Sequence, residues 1–337
     1  MARFSLALLT TALAAGGVVM PQESKAWGEF GHLTVCDLAY RNFTPATRQA
    51  VKDLFAGGVT ITAHGETRTY TSLNVGCLEE DERPRRNPKD HFINVARSLP
   101  AIANDICPLS ETTGQPLKCI LSGIRRDIAI LGDASRSKQD RVVALLALGH
   151  WVGDIHQPLH ISYEDDVGGN SISVSFSGKC GVGSTGNPYR PGSFHAVWDN
   201  CLLENGIFQR VRERTDYRPN WSRRTITYRA VDTLDANTSI AEKQQFVATA
   251  PWQWAAESYE IARRPAVQYC VMAGGSCRYS AELATLPDGG QPKKVRVDAA
   301  YLNAFKDVAG ERVRRAGIRL AHLVNDALDP AYTKPVD

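Results

Sequence analysis

Residues 140–160 read "DRVVALLALGHWVGDIHQPLH", an apolar run that ends in three histidines and an aspartate. The apolar spacing of "DRVVALLALGHWVGD" predicts a helix. His150 and Asp154 are four residues apart on it, so at 3.6 residues per turn they share a face. His156 lies about 240° round from His150 and points elsewhere. Pro158 cannot continue a regular helix, so the chain turns there and can bring His160 back towards His150 and Asp154.

Outward from this stretch, helical patterns dominate. "TPATRQAVKDLF" (44–55) opens on a Thr-Pro start and continues with apolar spacing of three and four. Similar patterns run through "LKCILSGIRRDIAILGD", "SIAEKQQFVATAPWQWAAESYEIARR" and "AAYLNAFKDVAGERVRRAGIRLAHLVNDAL", the last with alanine and leucine on one side and arginine on the other. Strand signals are few. "NSISVSFSG" (170–178) alternates and reads as one arm of a β-hairpin, and "VTITAHGETRTYTSL" (59–73) is a second strand-like stretch. The expectation is a mainly α protein with one helical domain and a small β-hairpin.

Residues 1–26 read as a secretory signal: Arg3, then the apolar "FSLALLTTALAAGGVVM", then "SKA" before Trp27. That leaves 27–337 as the domain, in a secreted or periplasmic protein. Of the 337 residues, 39 are Lys or Arg and 36 Asp or Glu. Removing Arg3, Lys25 and Glu23 lowers the formal charge from +3 to about +2. That is no electrostatic footprint for nucleic acid, so a polyanionic substrate needs another hold. Eight cysteines without a CxxC pair argue against a thiolate zinc site and, in an exported chain, favour disulfides. Cys107–Cys119, Cys180–Cys201 and Cys270–Cys277 are candidate local bridges, with connectivity left open.

Metal-binding residue types recur on both sides of the opening stretch. "FHAVWDN" (194–200) repeats the spacing with His195 and Asp199. "KDHFINVA" (89–96) offers His91, "CLEED" (77–81) offers Glu79, Glu80 and Asp81, and "WGEFGH" (27–32) ends in His32. A lone histidine on an apolar helix is usually a satisfied core residue, and one i,i+4 His/Asp pair is often a surface contact. Two such pairs with three further histidines read as a multinuclear metal site. Its nitrogen and carboxylate donors are those of zinc hydrolases.

The ordered series Trp27…His32, His91-Phe92, "HWVGDIHQPLH", Gly168-Gly169-Asn170 and "HAVWD" resembles the three-zinc secreted nucleases. That family comprises fungal single-strand-specific nucleases, plant bifunctional nucleases and bacterial relatives, with zinc-dependent phospholipases C as structural cousins. The resemblance covers Trp27 to at least Asp199 and implies a helical fold of phospholipase C/nuclease type. It also implies three zinc ions. One would be held by Asp81, His91, His150 and Asp154, and a second by His160, His195 and Asp199. The third would be held by His32, by Asp154 as a bridge, and by the amino nitrogen and carbonyl oxygen of Trp27. Relatives commonly carry a tryptophan where Glu79 stands, so Glu80 and Asp90 stay open beside Asp81. His156 matches no ligand position and is read as a structural hydrogen-bonding residue.

A phosphodiester resists water because its oxygens are negatively charged and its alkoxide leaves poorly. Zinc lowers the pKa of bound water to about 7, and a bridging carboxylate suits a metal pair about 3.5–4 Å apart. Asp81 and Asp154 are the candidate catalytic residues. The resemblance implies cleavage of single-stranded DNA and RNA at the P–O3′ bond, leaving 5′-phosphates, with 3′-nucleotidase activity beside it. Phe92 takes the place of a base-stacking residue, Asn94 stands where some fungal members carry a base-reading aspartate, and Asn170 matches a position beside the substrate. "RPRR" (83–86) and "RVRR" (312–315) are read as solvated faces, the first close enough to the ligands to meet a phosphate. Neither stable membrane association nor a protein partner is implied. The rival readings are a zinc-dependent phospholipase C, which needs an apolar rim, and a non-catalytic zinc-binding protein, which needs no paired metals.

Overall fold

Thr44 accepts a hydrogen bond from the Thr47 amide and Pro45 occupies the first helical turn, so a helix starts where the sequence signals one. The computed structural model describes residues 27–63, 66–82, 84–103, 107, 118–180, 189–273, 276–278 and 294–334; the expected signal at 1–26 and Arg83 lie outside them. The main elements are α1 (Glu29–Arg41), α2 (Pro45–Phe55), β1 (Val59–Ala63), β2 (Glu66–Tyr70), β3 (Ile93–Val95), α3 (Ile120–Gly132), α4 (Lys138–Asp154), β4 (Ile161–Tyr163) and β5 (Ser173–Phe176). Then follow the composite helix α5 (residues 194–212), α6 (Arg223–Ala236), α7 (Ile240–Val247), α8 (Pro251–Ala262), β6 (Val271–Ala273), β7 (Ser276–Arg278), β8 (Lys294–Val297) and α9 (Ala299–Leu328). The protein is mainly α.

Helix α4 is the centre of the packing. Ser137 caps it by accepting from the Asp140 amide, and every residue from Ala144 to Asp154 is buried. A helix apolar nearly all round belongs inside. It packs on α1, α3 and α9. Two glycines set how closely α1 approaches. A Cβ at Gly149 would stand 2.7 Å from Cys77 Sγ and 2.8 Å from Cys36 Sγ, and one at Gly153 would stand 2.8 Å from His32 Nδ1. Gly149 therefore seats the Cys36–Cys77 disulfide and Gly153 seats the His32 ring. The three local bridges form as well. In the chain-entropy account, closing a 41-residue separation at Cys36–Cys77 contributes on the order of 4 kcal/mol.

The strands pair in twos. β1 and β2 form an antiparallel hairpin with Val59 opposite Tyr70, whereas β3 and β4 run parallel with Asn94 opposite Ser162. The arm expected at 170–178 is no hairpin arm: β5 pairs in parallel with β8, Ser173 opposite Lys294. Alternation marks a half-buried strand but carries no information about its partner. The stretch expected as one long helix at 239–264 divides into α7 and α8, because Pro251 cannot continue the first. On α9 the arginines are not all outward. Arg312 and Arg319 are buried, both on the Glu257 carboxylate of α8. Reading "RVRR" as solvated fails at Arg312, since a carboxylate from another helix lets that guanidinium turn inward.

Candidate active site

Asp154, the last residue of α4, divides its two oxygens between neighbours. Oδ1 lies 3.3 Å from His32 Nε2, while Oδ2 lies 3.0 Å from His91 Nδ1, 3.4 Å from His150 Nε2 and 3.8 Å from His160 Nδ1. His32 comes from the first turn of α1 and stacks on His150 with ring centroids 3.9 Å apart. His91 precedes β3, and His160 ends the short turn that Pro158 starts. His195 and Asp199 lie in α5, Nε2 to Oδ1 3.6 Å. Their stretch passes from α into π-helix at Val197–Cys201, and such bulges recur at functional sites.

Three groups of ligand atoms lie within 4.8 Å of one another: His32, Asp81 and His150; His91, His150 and Asp154; and His160, His195 and Asp199. Of the three candidate upstream acids, Asp81 is the one beside the histidines, 3.8 Å from His150 Nε2. Glu80 is held by Arg86 and Asn87, and Asp90 by Arg126 at 2.5 Å. Trp27 is fully buried, and the adjacent Gly28 amide donates to the Asp199 carbonyl at 3.0 Å. The chain start expected at Trp27 is thereby held beside the acid of the third group. His156 sits apart, Nδ1 on the Val152 carbonyl at 2.8 Å and Nε2 on Arg319 at 2.9 Å.

Backbone carbonyls orient the rings. His150 Nδ1 donates to Cys77 O at 2.7 Å, His160 Nδ1 to His91 O at 2.6 Å and His195 Nδ1 to Gly168 O at 2.6 Å. Each such bond fixes the tautomer and leaves the Nε2 lone pair facing the cluster, as the hydrogen-bond partners behind metal ligands do. Burial pushes His150 and His160 well below the ordinary imidazole value and His195 down to about 4. The rings are thus neutral, the ligating form, near neutral pH. Burial pushes Asp154 up to about 7 and Asp199 well above the usual carboxylate range. His91 Nε2, His150 Nε2, Asp154 Oδ1 and Asp199 Oδ2 are buried without a hydrogen-bond partner. Each such atom costs about 1–3 kcal/mol. Four electron-pair donors in one cluster fit divalent cations of the zinc type.

The cluster opens onto a cleft of about 690 Å³. His91, His160 and His195 line its floor, with Phe92, Asn94, Asn170, Arg85 and Lys89 around them. The parallel β3–β4 pairing carries Phe92 and Asn94 to this wall, so Phe92 is half-buried at the cleft rather than packed in the core. Arg85 bonds Asp81 at 2.7 Å and Lys89 lies 5.8 Å from the Phe92 ring centre. Sequence reasoning passed over Lys89, Val167 and Gln157, whose amide donates to Asp199 at 2.6 Å. Gln157 stands inside the opening motif, which was its one available signal. The orienting carbonyls of Cys77, His91 and Gly168 have none.

A buried histidine–carboxylate cluster under a cleft rimmed by cations and an aromatic ring has the donor set of a metal-dependent hydrolase. The chain belongs to the S1/P1 Nuclease family, whose profile matches residues 27–329. It is 26% identical to Endonuclease 4 of Arabidopsis thaliana over 310 residues, 89% of this chain and 88% of that protein. Endonuclease 2 of the same plant is 28% identical over 53% of this chain and 56% of its own length. Nuclease P1 of Penicillium citrinum is 27% identical over 54% and 60%. With the last two, the chain spans little more than half of the relative's length.

Proposed function

We propose that this chain is an exported zinc-dependent endonuclease that hydrolyses single-stranded DNA and RNA to 5′-phosphorylated products, with 3′-nucleotidase activity beside it. The observation that carries the reading is the division of Asp154 between His32 on one oxygen and His91 and His150 on the other. A purely structural metal needs no shared carboxylate. In this reading Asp81, His91, His150 and Asp154 hold one zinc, and His160, His195 and Asp199 a second. His32, Asp154 and the terminal amine and carbonyl of Trp27 hold a third. Bound zinc supplies Lewis acidity and makes water nucleophilic at neutral pH. The protein's own groups do the rest. Arg85, anchored on Asp81, meets phosphate charge, Phe92 offers a ring face to a base, and Asn94 and Asn170 supply polar edges along the strand. Four disulfides support export, and among the described residues no helix is long and apolar enough to cross a membrane.

The test is an assay of the zinc-loaded protein beginning at Trp27 on single-stranded DNA, RNA and phosphatidylcholine side by side. Nucleic-acid cleavage to 5′-phosphates, abolished by chelation, is expected. Turnover of phosphatidylcholine alone would replace the nuclease reading with the phospholipase one.

A further inference from the structure

Val167, Gly168 and Gly169 have φ of 56°, 64° and 81°, three positive values in a row. Glycine adopts them freely, but a β-branched residue there is an outlier that must be held by its surroundings. Val167 is 54% exposed, so packing does not hold it. Asp166, fully buried, does. It accepts from the Gly169 amide at 2.8 Å and Tyr269 Oη at 2.5 Å, and pairs with Arg97. Arg97 in turn lies over the rings of Tyr163 and Tyr269.

What the strained turn delivers is a contact to His195. The Gly168 carbonyl accepts from His195 Nδ1 at 2.6 Å, and the Gly169 carbonyl accepts from the His195 amide at 3.3 Å. Gly168 cannot carry a side chain here, since a Cβ would stand 2.7 Å from the Leu159 carbonyl. A pair between buried Asp166 and half-buried Arg97 is a poor source of stability compared with apolar packing of the same volume. Strain held by such a pair, beside one functional ring, points to that ring.

We propose that Asp166 is a positioning residue: by holding the Val167–Gly169 turn it presents the Gly168 carbonyl to His195 Nδ1, and so fixes which nitrogen of His195 faces the cleft. Its value to catalysis rests on the reading of His195 as a zinc ligand, but the tautomer claim does not. In Asp166→Asn the amide cannot accept from Gly169 and Tyr269 while also neutralising Arg97, so the turn relaxes. Val167→Gly removes the steric reason for relaxing.

The experiment compares the zinc-loaded wild type beginning at Trp27 with Asp166→Asn, Asp166→Asn/Val167→Gly and Tyr269→Phe. Long-range ¹⁵N–¹H spectra of the same proteins stripped of metal report the His195 tautomer, chelator competition on the loaded proteins reports zinc retention, and kinetics on single-stranded DNA separate kcat from KM. Wild-type His195 should be the Nδ1–H form. Asp166→Asn should lose that form, release one zinc about 10–100-fold more readily, as loss of the partners behind a ligand does, and lower kcat with little change in KM. The Asp166→Asn/Val167→Gly double variant should recover much of each, which a merely structural aspartate would not allow. If Asp166→Asn does not fold, Tyr269→Phe carries the test with the same changes in smaller size. A folded variant that keeps the His195 tautomer and holds zinc within about twofold of wild type overturns the proposal. An Asp166-dependent tautomer in a protein that binds no zinc would sustain it and sink the zinc reading instead.

Discussion

His160 and His195 face each other Nε2 to Nε2 at 3.1 Å, each having committed its Nδ1–H to a backbone carbonyl. Two lone pairs at that separation repel unless a cation lies between them or one ring takes a proton. Burial, which pushes His195 to about 4 and His160 well below the ordinary value, closes the second route at neutral pH. Removing the metal is therefore expected to lower stability as well as activity. At free zinc 100-fold above Kd, each bound ion contributes about 2.7 kcal/mol. Thermal unfolding with zinc and with chelator measures this, and superimposable curves would count against a metal between the rings.

Gly153→Ala is expected to disturb His32 specifically. Its Cβ would stand 2.8 Å from His32 Nδ1 and 3.0 Å from Cε1, inside any real contact. Alanine favours a helix over glycine by about 1 kcal/mol, but overpacking costs about 1–3 kcal/mol, so the net change is destabilising. Zinc content should fall with it. Gly132→Ala is the control, because its Cβ meets nothing closer than 3.6 Å. Equal behaviour of the two variants, in melting temperature and metal analysis, would refute the seating of His32 by Gly153.

An N-terminal amine ligates metal only when free, since an amide nitrogen has no available lone pair. Its ordinary pKa of about 7.7–8.0 is low enough for zinc to displace the proton. Protein beginning at Trp27 should hold its full zinc complement, while versions one or two residues longer lose one ion and most activity. Trp27→Phe with a native terminus should keep both, because the indole is not the ligand. Undiminished zinc in the extended forms would remove Trp27 from the ligand set.

Glu257 tests stability away from the metals. Burial pushes its carboxyl up, but the bonds and charges of Arg319 and Arg312 outweigh this and hold it at about 2. Glu257→Gln strands two buried guanidinium groups and is expected to cost about 3 kcal/mol near pH 7. A carboxyl whose folded pKa lies below its unfolded one stabilises above the unfolded value, ordinarily near 4.5. That stability drains as pH falls from there towards 2. Urea unfolding of both proteins should thus show a gap at about pH 7 that narrows by about pH 3, and a constant gap would mean the charge is not the cause.

The sequence by itself determined most of the helices and the pairing of His150 with Asp154 and of His195 with Asp199, though it ran α7 and α8 together. Thr44-Pro45, Ser137 and the spacing of His150 from Asp154 act over three or four residues, so propensity, capping and the 3.6-residue repeat settle them locally. Cys107–Cys119, Cys180–Cys201 and Cys270–Cys277 were legible for the same reason of short separation. The tertiary structure alone decided the rest. Which of Glu80, Asp81 and Asp90 meets His150 depends on where Arg86 and Arg126 fall. Phe92 reaches the cleft because β3 pairs in parallel with β4, far along the chain, and β5 found β8 rather than a hairpin partner. Arg312 turned inward because a distant helix supplied Glu257. The tautomers of His150, His160 and His195 were set by carbonyl oxygens, which every residue carries alike and no side-chain pattern can mark.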